Sequence, residues 1–149
     1  MKIAAVALCL VVASADALRA QAADTASVPV RGPTVVACFH PVTQAQVDAD
    51  PDLGTVLDDW QWHWSSAARS LRAHGVAAEA RMADWVKLAI AGRLRLVRCP
   101  GVGYVLAAPG RGPKVLRDVM TDSDLVDAAA RFFGRADLKL EGEGDAGHP

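Results

Sequence analysis

Asp59, His63 and Ser66 are the side chains whose types could together supply an orienting acid, a base and a nucleophile, and they lie within two turns of a stretch that reads as helix. Helical spacing brings them near one face without aiming them at a common point. A nucleophilic serine also normally stands on a sharp turn beside backbone donors. The spacing is therefore read as an Asp59–His63 pair at i, i+4 supporting an exposed helix face, and no catalytic residue is assigned. His63 and His74 share a face of the same helix, but eleven residues of helical rise separate them by about 16 Å, too far for one metal ion. His40 could join Cys38 or Cys99 as a ligand, yet no set of three or four ligands is closely spaced. No metal and no cofactor is expected.

Two glycine-bearing stretches were weighed the same way. Gly101-Val-Gly-Tyr lacks the third glycine of a dinucleotide fingerprint and enters a strand rather than a helix. Gly110-Arg-Gly presents Arg111 at a loop tip, where it could meet an anion. Asp48, Asp50 and Asp52 alternate as in a calcium loop, without the glycine and glutamate such a loop requires.

Residues 1–22 begin with Lys2, continue in the apolar run Ile3 to Ala13 and end in small residues, the layout of a secretory signal peptide. The apolar run is shorter than the roughly 20 residues of a membrane-spanning helix. Cleavage is expected after Ala17 or after Ala22, the second leaving a short polar spacer. Loss of Lys2, Asp16 and Arg19 makes the remainder one unit more negative than the formal −1 of the whole chain. That balance provides no basic field for nucleic acid. The expectation is a periplasmic or secreted protein without stable membrane insertion. Of three cysteines, Cys9 lies in the apolar run, leaving Cys38 and Cys99. In an oxidising compartment these two are a candidate disulfide, although two buried free thiols would look the same in sequence. A redox pair is a weaker reading, because exchange-active thiols usually sit in a C-x-x-C at a helix start.

The elements that must position these residues follow in order. Residues 23–33 read as a flexible lead-in. Thr34-Val-Val-Ala-Cys-Phe39 is a continuous apolar run suited to a strand buried on both faces. Val42 to Gly54 reads as an irregular loop with room for one turn of helix. From Val56 to Gly75, Val56, Trp60, Trp64, Ala67, Ala68 and Leu71 recur at helical spacing, while Trp62 falls with Asp58, Ser66 and Arg69 on the opposite side. A second extended segment spans Val76 to Arg81. Asp84 to Ile90, Ala91-Gly92 and Arg93 to Arg98 read as a β-hairpin, in which Leu94 and Leu96 alternate with arginines and one face must be wet. Lys87, Arg93 and Arg95 are expected to make a small basic patch there. Val102 to Ala108 and Lys114 to Val119 are strands around the turn Pro109 to Pro113. Thr121 caps a last helix that stops at Gly134. Residues 34–134 are then one globular domain and 135–149 a disordered tail.

This order predicts an α+β domain, with a mixed, largely antiparallel sheet of about five strands and two main helices packed on it. From Pro100 to Phe133 the chain resembles the closing strand-strand-helix unit of thioredoxin-like proteins, with a proline before an apolar strand, a glycine-containing turn and a capped helix. Thr34 to Phe39 and the helix after it resemble that fold's first strand and helix. The family's C-x-x-C is missing, since His40-Pro-Val-Thr-Gln follows the first strand. Pro100 matches the proline beside that active site, and the resemblance implies Cys99 next to it. Two functions are carried forward. One is an exported, non-enzymatic binding domain contacting a protein or envelope component, with Trp62, Arg69, Trp85 and Arg111 as binding-surface candidates. The other is a thioredoxin-like thiol–disulfide protein using Cys38 and Cys99.

Overall fold

The run Thr34-Val-Val-Ala-Cys-Phe39 forms strand β2, and all six of its residues are buried. A computed structural model of the chain describes residues 26–99 and 101–142; the expected signal peptide at 1–22, Pro100 and residues 143–149 lie outside the described residues. In chain order the elements are β1 (Val28–Val30), β2 (Thr34–Phe39), α1 (Gln44–Ala49), α2 (Pro51–Ala73), β3 (Ala77–Arg81), β4 (Trp85–Ile90), β5 (Arg93–Arg98), β6 (Val102–Ala108), β7 (Arg111–Arg117) and α3 (Asp122–Phe133). The class is α+β, as expected. The strands divide into two sheets rather than one of about five: a four-stranded sheet ordered β3-β2-β6-β7 and a three-stranded sheet ordered β1-β4-β5.

β2 pairs parallel with β3 and antiparallel with β6, so it is central. Its side chains alternate between two cores. Val35, Ala37 and Phe39 join Trp60, Trp64, Leu71, Tyr104, Leu106 and Leu125 beneath the helices. Val36 and Cys38 join Val28, Val30, Val86, Leu88, Val97, Cys99 and Val105 between the sheets. The result is three layers, in the order helices, four-stranded sheet, three-stranded sheet. Each fully buried Leu or Phe of these cores contributes about 2 kcal/mol through removal from water.

Three boundaries differ from those read in the sequence. The lead-in contains β1, which pairs parallel with β4 and buries Val28 and Val30 while Pro29 stays exposed. A sheet edge tolerates that proline because the lost N–H has no partner there. The segment read as a loop is α1 followed directly by the start of α2. Asp50 caps α2 by accepting from the Asp52 and Leu53 amides, and Pro51 occupies the first turn. After α3, Arg135 donates to the His74 carbonyl at 2.9 Å and to the Asp137 carboxylate at 2.7 and 2.6 Å. That contact holds the Asp137 carboxyl down at about 2. Leu138 is buried in the helix-side core and the Glu141 amide bonds to the Ser70 hydroxyl. Residues 135–142 are thus packed rather than loose.

Cys38 and Cys99 form a disulfide, both residues buried between the sheets. It ties the end of β2 to the chain just after β5, closing a loop of sequence separation 61. Beside it, Gly103 of β6 faces the Leu116 carbonyl so closely that an added Cβ would collide with that oxygen.

Two outcomes follow. Replacing both cysteines by alanine lowers the unfolding free energy by about 4 kcal/mol through the freed loop, read from the denaturant midpoint of the oxidised chain against the variant. Gly103→Ala costs about 1–3 kcal/mol by pushing β7 away from β6, with the disulfide still formed.

Candidate functional site

The hairpin β4–β5 turns through Ala91-Gly92, both with positive φ, 49° and 75°. This is the turn chemistry that sets a two-residue hairpin with Ile90 opposite Arg93. Register then decides which side chains share a face. Val86, Leu88 and Val97 point into the core between the sheets, and Arg93 and Arg95 continue on that side toward the open end. Trp85, Lys87, Ala89, Leu94, Leu96 and Arg98 lie on the other face, which nothing covers among the described residues. Leu94 is 72% exposed, Leu96 59% and Trp85 54%.

The expected basic patch of Lys87, Arg93 and Arg95 is therefore split, because Lys87 stands opposite Leu96 and across the sheet from both arginines. The alternation was correctly read as a strand, but its leucines face water. Burial of Val97 against Val86 fixes the register, and a one-residue slip would exchange the faces.

At the disulfide end the same face runs into an open depression of about 540 Å³ lined by His40, Asp84, Trp85, Arg98 and Gly101. The Asp84 carboxylate holds His40 Nδ1 at 2.8 and 3.0 Å. Facing a carboxylate, Nδ1 is the donor, and Nε2 is turned away from the pair. Two backbone bonds set the geometry: the His40 amide donates to the Gly101 carbonyl, and the Cys99 amide to the Asp84 carbonyl, each at 2.7 Å. An Asp-oriented histidine is the arrangement of a general base. The residues lining the depression include no hydroxyl or thiol nucleophile, and both nearby cysteines are spent in the bridge. What the lining can do is donate hydrogen bonds and offer an aromatic face.

At the opposite, turn end, Ile90, Arg93, Leu94, Arg95, Gly110, Arg111 and Gly112 line a depression of about 420 Å³. Three arginines are among the lining residues and no carboxylate is. Arg111 also lies over the Phe132 ring, 5.2 Å from its centroid. It was read from sequence as a loop-tip residue; it begins β7, and the turn is confined to Pro109-Gly110.

The helix candidates lie elsewhere. Trp62, 67% exposed, sits edge-on to His63, and Arg69 is exposed on α2. They occupy the helix layer, whereas Trp85 occupies the far sheet. His63 does find a carboxylate, supplied by Asp122 of α3 rather than by Asp59, with Nδ1 3.5 Å from Asp122 Oδ1 and 3.4 Å from its amide nitrogen. The Ser66 hydroxyl beside Asp122, followed by weaker backbone and His63 contacts, holds that carboxyl below its ordinary value against the opposing effect of burial. Here the acid stands between serine and histidine, an order that clamps α2 to α3 and does not activate a nucleophile. No local sequence signal pairs residues so far apart. Among the described residues, no three of His, Cys, Asp and Glu are placed to hold a metal ion.

Ser66→Ala raises the Asp122 pKa toward 3.8, followed by carbon-detected NMR titration. Because the folded value is lowered, the clamp's contribution is present above the ordinary carboxylate range and is lost as pH falls through the lowered value; the variant weakens it at neutral pH.

No protein-family model, curated protein or solved structure matches the chain.

Proposed function

We propose that the chain is an exported binding module that engages a protein partner through the outer face of the β4–β5 hairpin. The observation that carries this reading is the row Trp85, Leu96, Leu94, uncovered among the described residues, on a sheet whose edge strand β5 is paired there on one side only. Soluble monomers rarely leave contiguous large apolar side chains in water, and such patches with polar rims mark contact sites. Lys87 and Arg98 supply that rim, and Trp with Arg is the composition that dominates binding energy at interfaces. Export is supported by the signal-like sequence of residues 1–22 and by the disulfide, which persists where thiols are not kept reduced. Among the described residues no helix is long and apolar enough to cross a membrane.

The thiol–disulfide reading draws support from the order of elements: β2 and α2 precede, and β6, β7 and α3 close the domain, in the succession on which the thioredoxin-like resemblance rests. The bridge also adjoins the His40–Asp84 depression. Against an exchange role stands its burial, which leaves an external thiolate no path to either sulfur.

A photocrosslinking residue at position 87, opposite Leu96 on the outer face, yields one discrete adduct in cells exporting the chain, whereas the same residue at position 69 yields none. Leu94→Ser with Leu96→Ser abolishes the adduct and leaves the melting temperature unchanged, since neither leucine belongs to a core. An adduct from position 69 alone would refute the hairpin and transfer the role to Trp62 and Arg69.

A further inference from the structure

We infer that the partner adds to β5 as an extended strand in which acidic residues alternate with apolar ones. The inference rests on the hairpin being the binding face and names the chemistry that face would select. Strand β5 pairs with β4 on one side only, and its other side is open among the described residues. The antiparallel ladder that starts at the Ile90–Arg93 pair turns the backbone groups of Arg93, Arg95 and Val97 toward β4. The Cys99 amide, bonded to the Asp84 carbonyl, keeps the same parity at the far end. The N–H and C=O groups of Leu94, Leu96 and Arg98 are therefore the ones left facing out, and they offer a template for another strand.

The side chains of β5 specify what that strand carries. On one side stand Arg93 and Arg95, in a turn-end depression whose lining also includes Arg111 and no carboxylate, the Arg111 guanidinium itself lying over Phe132. None of the three enters an ion pair among the described residues. Alternate residues of a strand are about 6.7 Å apart, so acids at every second position of the added strand reach Arg93 and Arg95 in register. The intervening residues fall on the opposite side, beside Leu94, Leu96 and Trp85, where apolar groups are buried best. A second copy of this chain is disfavoured by the same charges, because β5 against β5 brings arginines onto arginines. Proteins commonly keep exposed edges from pairing by placing charges on them. Here the charges are of one sign, and that turns general protection into selection.

The test uses the mature chain and a fluorescein-labelled, end-blocked Glu-Val-Glu-Val-Glu-Val peptide, followed by fluorescence anisotropy. The expected results are saturable binding, no binding of the Lys-Val-Lys-Val-Lys-Val peptide, and loss of binding when alternate amides of the acidic peptide are N-methylated. Arg93→Glu with Arg95→Glu is expected to weaken binding by about tenfold or more, the disulfide and melting temperature being retained. Because the N-methyl arm uses the unaltered chain, the inference stays testable if the double variant does not fold. Equal binding of the two peptides, indifference to N-methylation, or a β5-mediated dimer in sedimentation would each overturn it. Binding that appears only after removal of residues 143–149 would overturn it too, by making the chain's own acidic end the occupant. If the acidic peptide fails while the Leu94→Ser, Leu96→Ser variant still abolishes the crosslink at position 87, the partner chemistry is wrong and the binding face stands. If both fail, the face itself is wrong.

Discussion

Strand β2 has no wet side, and a central strand with two dry faces obliges the chain to supply two covers. Val35, Ala37 and Phe39 need one, and Val36 and Cys38 need the other. The helices α2 and α3 meet the first requirement with Trp60, Trp64, Leu71 and Leu125. The second is met by an entire additional sheet, which is why a chain of this length has two sheets rather than one. The disulfide stands at the end of that constraint, joining the last inward residue of β2 on the sheet side to the residue that follows β5.

The candidate site is a consequence of this layering. A three-stranded sheet that spends one face on covering β2 has a second face left over, and the hairpin presents it. Because the turn-end half of β5 extends past the inter-sheet core, even its inward residues Arg93 and Arg95 are exposed and share the lining of a depression with Arg111 of β7. The exposed part of the hairpin's inward side therefore carries Arg93 and Arg95, and its outer side carries Trp85, Leu94 and Leu96 with Lys87 and Arg98 among them. Its two ends differ as well: three arginines surround the turn, and a His–Asp pair sits beside the buried bridge.

Much of the architecture was legible because the signals were local. The apolar run of β2, the helical stripe of Trp60, Trp64 and Leu71, the Ala91-Gly92 turn and the Thr121 and Gly134 caps each act over a few residues, and each element formed where those signals lie. The start of α2 was legible too, since Asp50 before Pro51 is a capping aspartate before a first-turn proline, but acidic spacing drew attention to a calcium loop instead. Strand β1 gave little warning, because three residues with a proline, Pro29, at their centre carry too short an alternation to read. The packed segment after α3 rests on Leu138, with Leu140 partly buried beside it, and two leucines are too few to establish a period.

By itself, the sequence determined the α+β class, the positions of the last helix, of the tryptophan-bearing part of α2 and of the hairpin, the pairing potential of Cys38 with Cys99 and the awkwardness of Trp62, because all of these follow from periodicity, turn chemistry and residue type. Only the tertiary structure decided the rest. Whether Leu94 and Leu96 face a core or water depends on the register set by Val97 and Val86. Which carboxylate stands beside His63 depends on α3 docking against α2. That Trp62 and Trp85 belong to different surfaces depends on two sheets lying between them in the layering. In each case the deciding contact joins residues far apart in the chain, and no pattern within a window of sequence can specify it.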